Sequence, residues 1–211
     1  MVKFVQTTRR WYDRRKPRDA GEVYARQMPK KPLFTGRFSL KRSRNPMTNP
    51  RTMTRMALIA AVYAVLTLAF APISFGPLQI RVAEAMTILP FLFPEAIWGL
   101  FIGCFISNTI GTMLGVSLGV FDIVFGSLAT LLAAYLTSKT KKIWLAPLPP
   151  VIVNAVVIGT LLTVVLAPEA GIAAFPLFAG EVALGQILSC FGLGIPLLIA
   201  VKKLAPGLRG N

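Results

Sequence analysis

Apolar residues dominate the chain from about residue 56 onward, in long runs that Gly, Pro and Lys interrupt at intervals. A transmembrane helix needs about 20 mostly apolar residues, with about 17 as the lower limit. The runs predict six helices, at about 56–73, 83–93, 94–111, 120–138, 148–167 and 178–201. The second run is too short to span a bilayer alone unless it is tilted or continuous with the third. The pattern therefore predicts an all-α integral membrane protein.

Charge is distributed unevenly along the 211 residues. Residues 1–55 contain 16 Lys or Arg and 3 Asp or Glu, a net charge of +13, whereas residues 56–211 contain 7 and 5, a net charge of +2. The beginning of the chain also lacks helical or strand periodicity and has little apolar surface to offset the entropy of ordering. We expect a basic, disordered tail at 1–52, a transmembrane domain at 53–203 and a short C-terminal tail at 204–211.

The basic tail has three interpretations. A solvated cytoplasmic tail is the simplest one, given its composition. Basic segments with interleaved aromatic residues can also bind nucleic acid or anionic lipid headgroups, although we do not expect nucleic acid as a partner. Alternatively, translation begins at Met47, Met53 or Met56, which would remove the tail.

Positive residues in short loops predict how the helices cross the membrane. Three lysines at 139–142 lie between the fourth and fifth predicted helices, and three basic residues follow the sixth. With six spans, these segments and the basic tail fall on one side of the membrane. We therefore expect a multi-pass protein of the cell membrane with both termini in the cytoplasm. The outward-facing loops would be 74–82, 112–119 and 168–177.

Polar side chains inside the apolar runs gather, on this topology, in the outer half of the predicted bundle. Ionisable groups within a membrane are costly, and they usually line a ligand path or pair with one another. We therefore predict an outward-opening ligand pocket. Its candidate residues are Arg81, Glu84, Asn108, Asp122, Asn154, Glu181 and Gln186.

These polar residues also have structural interpretations. Arg81 and Glu84, which we expect near the outer interface, can form an ion pair that adds little stability. Asn108 and Asn154 can donate hydrogen bonds between helices. Glu95 is expected at a helix N-terminus on the cytoplasmic side, where the helix dipole favours a carboxylate. Their shared side of the bundle favours a binding site over these separate roles.

Small residues recur at four-residue spacing on the first and third predicted helices. The first helix carries Ala57, Ala60, Ala61 and Ala64, and the third carries Gly99 and Gly103. Such spacing lets membrane helices approach closely. It predicts either packing within the bundle or a docking face for another membrane subunit.

Several residue types needed for catalysis are missing. The chain has no histidine, no CxxC and no HExxH, which excludes a zinc site of those kinds and a histidine general base. A GxxxxGK[ST] loop for ATP phosphates is also missing. We expect no enzyme, no metal and no cofactor, so that energy for transport would come from a gradient or a partner. Cys104 and Cys190 lie within apolar runs, where packing is their default role, and their spacing does not decide whether they form a disulfide.

One stretch resembles a known family. The run QIRVAEAMTILPFLFPEAIWGLFIGCFISNTIG (79–111) is similar to the queuosine precursor transporter (QueT) family. The likeness continues in FDIVFGSLATLLAAYLTSK (121–139), VIVNAVVIG (151–159) and VALGQILSCFGLGIPLL (182–198), and it covers nearly all of 53–203. Members of this family are substrate-binding S components of energy-coupling factor (ECF) transporters. The basic tail is not part of the family pattern.

The resemblance implies a six-helix S-component bundle that captures a 7-deazaguanine precursor of queuosine from outside the cell. It also implies assembly with a transmembrane T component and two ATPase subunits, which would hydrolyse ATP. The alanine-spaced face of the first helix contacts the T component in such proteins, and it corresponds here to Ala57 and Ala61, with Ala60 and Ala64 beside them.

A deazaguanine edge presents N–H donors that carboxylates accept. We hypothesise that Glu84 and Glu181 supply these acceptors, and that Phe91, Phe121 or Phe175 stacks on the ring. The residues leave three alternatives open: an S component for another vitamin-like substrate, a gradient-driven carrier, and a membrane-anchored binding protein whose basic tail is the working part.

Overall fold

A computed structural model describes residues 49–76 and 79–204. The predictions for the basic tail before residue 49, and for the C-terminal tail from residue 205 on, lie outside the described residues.

The described residues contain seven α-helices. They are α1 Pro50–Ala69, α2 Ala71–Ser74, α3 Ala96–Met113, α4 Ser127–Ser138, α5 Leu148–Leu166, α6 Phe175–Ile187 and α7 Ile195–Leu204. Short 3₁₀ helices lie at Val82–Phe91, Ile143–Leu145 and Gly171–Ala174, and π-helical segments lie at Asp122–Gly126 and Leu188–Gly194. No strand occurs in this part of the chain. The all-α prediction is therefore confirmed.

The predicted count of six helices is not confirmed. The run at 83–93 forms a 3₁₀ helix rather than an α-helix, and the last run is divided into α6 and α7 by a π-helical segment. The first run also ends early, at Ala69, and the chain makes the separate short helix α2 before residue 75.

Four helical stretches are long and apolar enough to cross a membrane. They are Pro50–Ala69, Ala96–Met113, Ile143–Leu166 and Gly171–Leu204, in which successive helical segments are counted together. Val82–Phe91 and Asp122–Ser138 are apolar but shorter. This organisation is that of a multi-pass membrane protein.

The start of α1 shows how local chemistry sets a boundary that the apolar pattern missed. The side chain of Asn49 accepts a hydrogen bond from the backbone N–H of Arg51 at 3.1 Å. Asn is among the preferred residues before a helix, and Pro50 fits the first helical position because its missing N–H is not needed there. The helix therefore begins at Pro50, ahead of the apolar run that starts near residue 56.

Helices α1 and α3 pack unusually closely because two glycines of α3 face α1. A Cβ atom at Gly99 would lie 2.7 Å from the carbonyl oxygen of Met56, and one at Gly103 would lie 2.7 Å from that of Ala60. Ala60 and Ala64 are buried in this contact. On this face of α1, the small-residue spacing serves packing within the bundle.

The 3₁₀ helix Val82–Phe91 lies inside the bundle. Every residue from Ala83 to Pro90 is buried, and the segment packs against α1, α4, α7 and the π-helical segment Leu188–Gly194. Irregular backbone at membrane depth is tolerated where protein surrounds it. The expectation that Arg81 and Glu84 lie near the outer interface stays a prediction, but only 4% and 1% of their surfaces are exposed, so both are enclosed by the bundle. Their segment is too short to span and is enclosed by longer helices.

Candidate functional site

The Glu84 carboxylate is held by side chains from two long helices. Tyr63 of α1 donates its hydroxyl to Oε1 at 2.5 Å, and Asn154 of α5 donates its amide to Oε2 at 3.4 Å. The backbone carbonyl of Glu84 accepts from Thr87 Oγ1 at 2.6 Å and from Cys190 Sγ at 3.4 Å. The first turn of the 3₁₀ helix is therefore fixed from several sides at once.

Arg81 stands just before the same 3₁₀ helix and is buried without a carboxylate partner. Its Nε donates to the backbone carbonyl of Ser74 at 3.2 Å, Nη1 lies 4.0 Å from Cys104 Sγ, and the guanidinium carbon lies 5.0 Å from the centre of the Phe75 ring. Its Nη2 has no hydrogen-bond partner. Buried arginines are normally paired, so Arg81 Nη2 is a donor that a bound ligand could use.

The interpretation of Arg81 and Glu84 as an ion pair is wrong. Within the described residues, the one ion pair joins Arg55 of α1 to Glu95 at 3.3 Å. Glu95 does immediately precede α3, as predicted, but its side chain makes no cap hydrogen bond there. Its role in this structure is to tie the beginning of α3 to the beginning of α1.

Asn108 of α3 contacts both Cys104, which lies beside Arg81, and the π-helical segment Asp122–Gly126. The Asn108 amide donates to the backbone carbonyl of Asp122 at 2.7 Å and lies 3.4 Å from Cys104 Sγ. Asp122 Oδ2 accepts the backbone N–H of Leu118 at 2.9 Å. Cys104 Sγ also accepts from Thr130 Oγ1 at 3.3 Å. The cysteine sulfur is thus the meeting point of α3, α4 and Arg81.

Half of the buried side-chain atoms without a partner belong to Arg81, Asn108 and Asp122. Across the described ranges the atoms without a partner are Ser74 Oγ, Arg81 Nη2, Asn108 Oδ1, Asp122 Oδ1, Ser127 Oγ and Ser189 Oγ. Leaving a buried polar atom unsatisfied costs about 1–3 kcal/mol, and native structures contain few of them. The set combines a cationic donor with amide and carboxylate acceptors. A small polar ligand that offers both an acceptor and several donors would satisfy it.

Both π-helical segments carry members of this cluster. Asp122 begins the first segment, and Ser189 and Cys190 lie in the second. π-helical turns are rare and occur frequently at functional sites, because the extra residue changes the direction of the side chains that follow. Their positions therefore point to the same part of the bundle as the unsatisfied atoms.

Two cavities lie elsewhere. One of about 420 Å³ is lined by Thr160, Thr163, Val164, Pro168, Gly171, Ile172 and Phe175. Another of about 140 Å³ is lined by Arg55, Leu58, Ile59, Leu89, Phe93, Glu95 and Val201. None of the seven predicted site residues lines either cavity. In the larger one, the hydroxyls of Thr160 and Thr163 donate to backbone carbonyls of their own helix, so its walls offer little to a polar ligand.

Comparison with known proteins identifies the relatives of this bundle. The family model described as QueT transporter matches residues 53–203. The chain belongs to the QueT transporter family.

One curated QueT relative is similar over part of its length. It is the "Queuosine precursor transporter QueT" of Lactococcus lactis subsp. cremoris (strain MG1363), 35% identical over 78 residues, which are 36% of this chain and 43% of the relative. The chain therefore spans less than half the length of this relative in the match. No solved structure matches. The family match confirms the prediction of the family, which is described as one of transporters and not of enzymes.

Six of the seven predicted residues of this QueT protein are buried in the bundle: Arg81, Glu84, Asn108, Asp122, Asn154 and Gln186. Hydrogen bonds link Glu84 with Asn154, and Asn108 with Asp122. Gln186 joins through Cys190, whose Sγ lies 3.5 Å from Gln186 Oε1. Glu181 is only partly buried, and none of the hydrogen bonds or ion pairs found in the described residues involves its side chain. The structure does not bring it into the cluster.

The sequence-based prediction missed several members of the cluster. Tyr63 and Cys104 contact predicted residues, and Thr130 contacts Cys104. Ser127 and Ser189 have buried hydroxyls without a partner. All five are fully or almost fully buried. Tyr63 carried a usable signal, because a tyrosine within an apolar helix normally needs a partner for its hydroxyl when it is buried. The hydroxyls of Ser and Thr gave no such signal, since they can bond the carbonyl of the preceding helical turn. Both cysteines are free and buried.

Of the predicted stacking residues, Phe121 is exposed, Phe91 is partly buried near Ile88, and Phe175 lines the larger cavity. The ring that does lie at the cluster is Phe75, against Arg81. On α1, Ala60 and Ala64 are buried, so they are unavailable to a partner, whereas Ala57 and Ala61 are exposed.

Proposed function

We propose that this QueT-family chain is the substrate-binding S component of an ECF importer and captures a 7-deazaguanine precursor of queuosine from outside the cell. The observation that best supports this proposal is the buried cluster in which Arg81, Asn108 and Asp122 each have a polar atom without a hydrogen-bond partner. The name of the Lactococcus lactis relative, a queuosine precursor transporter, supports the choice of substrate class.

The hydrogen-bonding groups of a deazaguanine complement those of the cluster. The ring carries one carbonyl oxygen, which is an acceptor for Arg81 Nη2. Its N1–H, 2-amino and pyrrole N–H groups are donors, which Glu84, Asn108 Oδ1 and Asp122 Oδ1 would accept. A buried site that makes such bonds rejects analogues lacking the matching groups strongly, because its own polar atoms are then left unpaired.

The charges of the cluster favour a cationic substituent. Glu84 and Asp122 are two carboxylates against the single guanidinium of Arg81. A like-charged pair of carboxylates in a shielded site is stabilised by an added positive charge. An aminomethyl group on the deazaguanine ring would supply it. We therefore expect an aminomethyl deazaguanine to bind more tightly than the same ring without the substituent.

The proposed partners and orientation complete the function. Both termini would be cytoplasmic, so that the loops at 112–119 and 168–177 face outward. The exposed alanines Ala57 and Ala61 on α1 would contact the T component, since small side chains permit close helix contacts in lipid. ATP would be hydrolysed by two partner ATPases.

The test is calorimetric titration of the detergent-purified full-length protein with 7-deazaguanine precursors, guanine, riboflavin and folate. We expect tight binding of a deazaguanine and none of riboflavin or folate. Binding of riboflavin or folate instead would overturn the substrate class but leave the S-component role.

Two matched variants test the site. Glu84→Gln keeps the shape of the side chain but removes its charge, and it should weaken deazaguanine binding by about tenfold or more, because hydrogen bonds to charged groups contribute about 1.5–3 kcal/mol. Glu181→Gln makes the same chemical change outside the cluster and should alter affinity less than about threefold. Equal losses in the two variants would contradict the placement of the site.

A further inference from the structure

Tyr63 is the largest fully buried side chain that contacts the cluster without having been assigned a function. Its exposed fraction is 0%, and its hydroxyl reaches Glu84 across 21 residues of sequence. It is thus the contact through which α1 touches the site.

The tyrosine ring is held rigidly. It belongs to a buried group with Met86, Leu89, Leu100 and Cys104, and a Cβ atom at Gly103 would lie 2.9 Å from Tyr63 Cβ, so the two backbones are in close contact. A side chain packed in this way cannot change its rotamer without moving neighbouring helices. Its hydroxyl therefore presents a fixed point to Glu84.

Glu84 keeps acceptor capacity beyond its two bonds. An ionised carboxylate has about four lone-pair sites on its two oxygens. Tyr63 occupies one on Oε1 and Asn154 one on Oε2. The remaining lone pairs are the ones that two N–H donors of a ligand would use. Because each oxygen is anchored by a different helix, the plane of the carboxylate is fixed before any ligand arrives.

We propose that Tyr63 is a positioning residue that orients the Glu84 carboxylate to accept two neighbouring N–H groups of the substrate, and so sets the preference for rings with a 2-amino group. The inference rests on the proposed function, because it requires Glu84 to bind the ring edge. A purely structural tyrosine would stabilise the bundle without affecting which ring is preferred. The two roles differ in what they predict for ligand selectivity.

The experiment compares two probes, 7-deazaguanine and 7-deazahypoxanthine, which lacks the 2-amino group. The full-length wild type should prefer 7-deazaguanine by more than about tenfold, since a missing hydrogen-bonding group leaves the site unpaired. Tyr63→Phe removes only the hydroxyl. It should weaken 7-deazaguanine binding by about tenfold and 7-deazahypoxanthine binding much less, which lowers the preference. Tyr135→Phe, at an exposed tyrosine of α4, is the control and should change neither affinity.

A double variant separates positioning from stability. In the Glu84→Gln background, adding Tyr63→Phe should not lower the preference for 7-deazaguanine any further, because the carboxylate that accepts two N–H groups is gone. The double variant also remains informative if Tyr63→Phe alone does not fold. Tyr63→Phe leaves the buried Glu84 carboxylate without the hydroxyl that it accepts from, and Glu84→Gln removes that charge.

The outcomes distinguish two failures. Binding of neither probe by the wild type would overturn the proposed function and the inference with it. Binding by the wild type with an unchanged preference in Tyr63→Phe would overturn the positioning role alone. A further loss of the preference on adding Tyr63→Phe to Glu84→Gln would also overturn it, because the tyrosine would then act independently of the Glu84 carboxylate.

Discussion

Replacing Gly126 by alanine should separate binding from stability. Gly126 has ordinary right-handed helical dihedral angles, φ −63° and ψ −43°, so alanine fits its backbone. The added Cβ would lie 2.9 Å from Asn108 Nδ2, and the next nearest atom, Asn108 Cγ, would be 4.0 Å away. The one group that must move is therefore the Asn108 amide, which is the end of a side chain.

The magnitudes partly cancel for folding. Alanine in place of glycine stabilises a helix by about 0.5–1 kcal/mol. Displacing the Asn108 amide breaks its buried 2.7 Å bond to the carbonyl of Asp122, and leaving a buried polar group unsatisfied costs about 1–3 kcal/mol. The free energy of unfolding should therefore fall by no more than about 2.5 kcal/mol. Affinity should fall by about tenfold, because Asn108 no longer presents its oxygen to the ligand.

The assay is 7-deazaguanine titration together with thermal unfolding in detergent, on Gly126→Ala and on Gly192→Ala. Gly192 lies in the other π-helical segment and has no neighbour within 4 Å of its missing Cβ. Its variant should be slightly more stable and bind normally. Equal affinities for the two variants would refute the role of Asn108. A severe loss of stability in Gly126→Ala would refute the claim that only one amide moves.

Three further predictions concern the packing and surfaces of α1. Gly103→Ala should destabilise the protein by about 1–3 kcal/mol, because the new Cβ would press on the backbone of α1. Thermal unfolding should show this loss, with Gly180→Ala of α6 as the control: nothing lies within 4 Å of its missing Cβ, so that variant should be slightly more stable. Ala61→Trp should stop co-purification of the T component and ATPases but leave deazaguanine affinity unchanged. Retained co-purification would exclude this face of α1 as the contact with the T component. Arg55→Gln should change stability by less than about 1 kcal/mol, because its ion pair with Glu95 is partly exposed; a larger loss on unfolding would contradict this.

The apolar pattern predicted the long helices well because burial in a bilayer requires long apolar runs whatever their neighbours are. It placed the fifth helix at 148–167 and the structure has it at Leu148–Leu166. The pattern could not predict that the segment after residue 82 is enclosed by other helices, because enclosure depends on tertiary packing. The same limit explains why the burial of Arg81 and Glu84 among the other helices was not predicted.

For the site, residue type was more informative than position. Polar residues in apolar runs were expected to gather, and Glu84, Asn154, Asn108 and Asp122 do so. Glu181 does not, although it has the same chemistry, because a partly exposed carboxylate on α6 needs no partner from the bundle. Whether a given polar side chain points into the cluster depends on the rotation of its helix, which hydropathy along a uniformly apolar helix does not reveal.

The 3₁₀ helix left a signal of its own in the sequence. Its polar residues Glu84 and Thr87 lie three positions apart in an otherwise apolar run, and Arg81 stands just before the helix at the same spacing. In an α-helix such residues drift around the axis, but in a 3₁₀ helix side chains three apart are eclipsed and lie in one row. The tighter geometry thus places Glu84 and Thr87 along one side of a short buried segment, where Tyr63 and Cys190 meet them, and Arg81 meets Cys104 just before it. Polar groups of this kind cannot face lipid, so they require polar partners from the surrounding helices. The long helices of this protein therefore enclose the polar cluster, and the short 3₁₀ helix, which is too short to cross a membrane, lies at its centre.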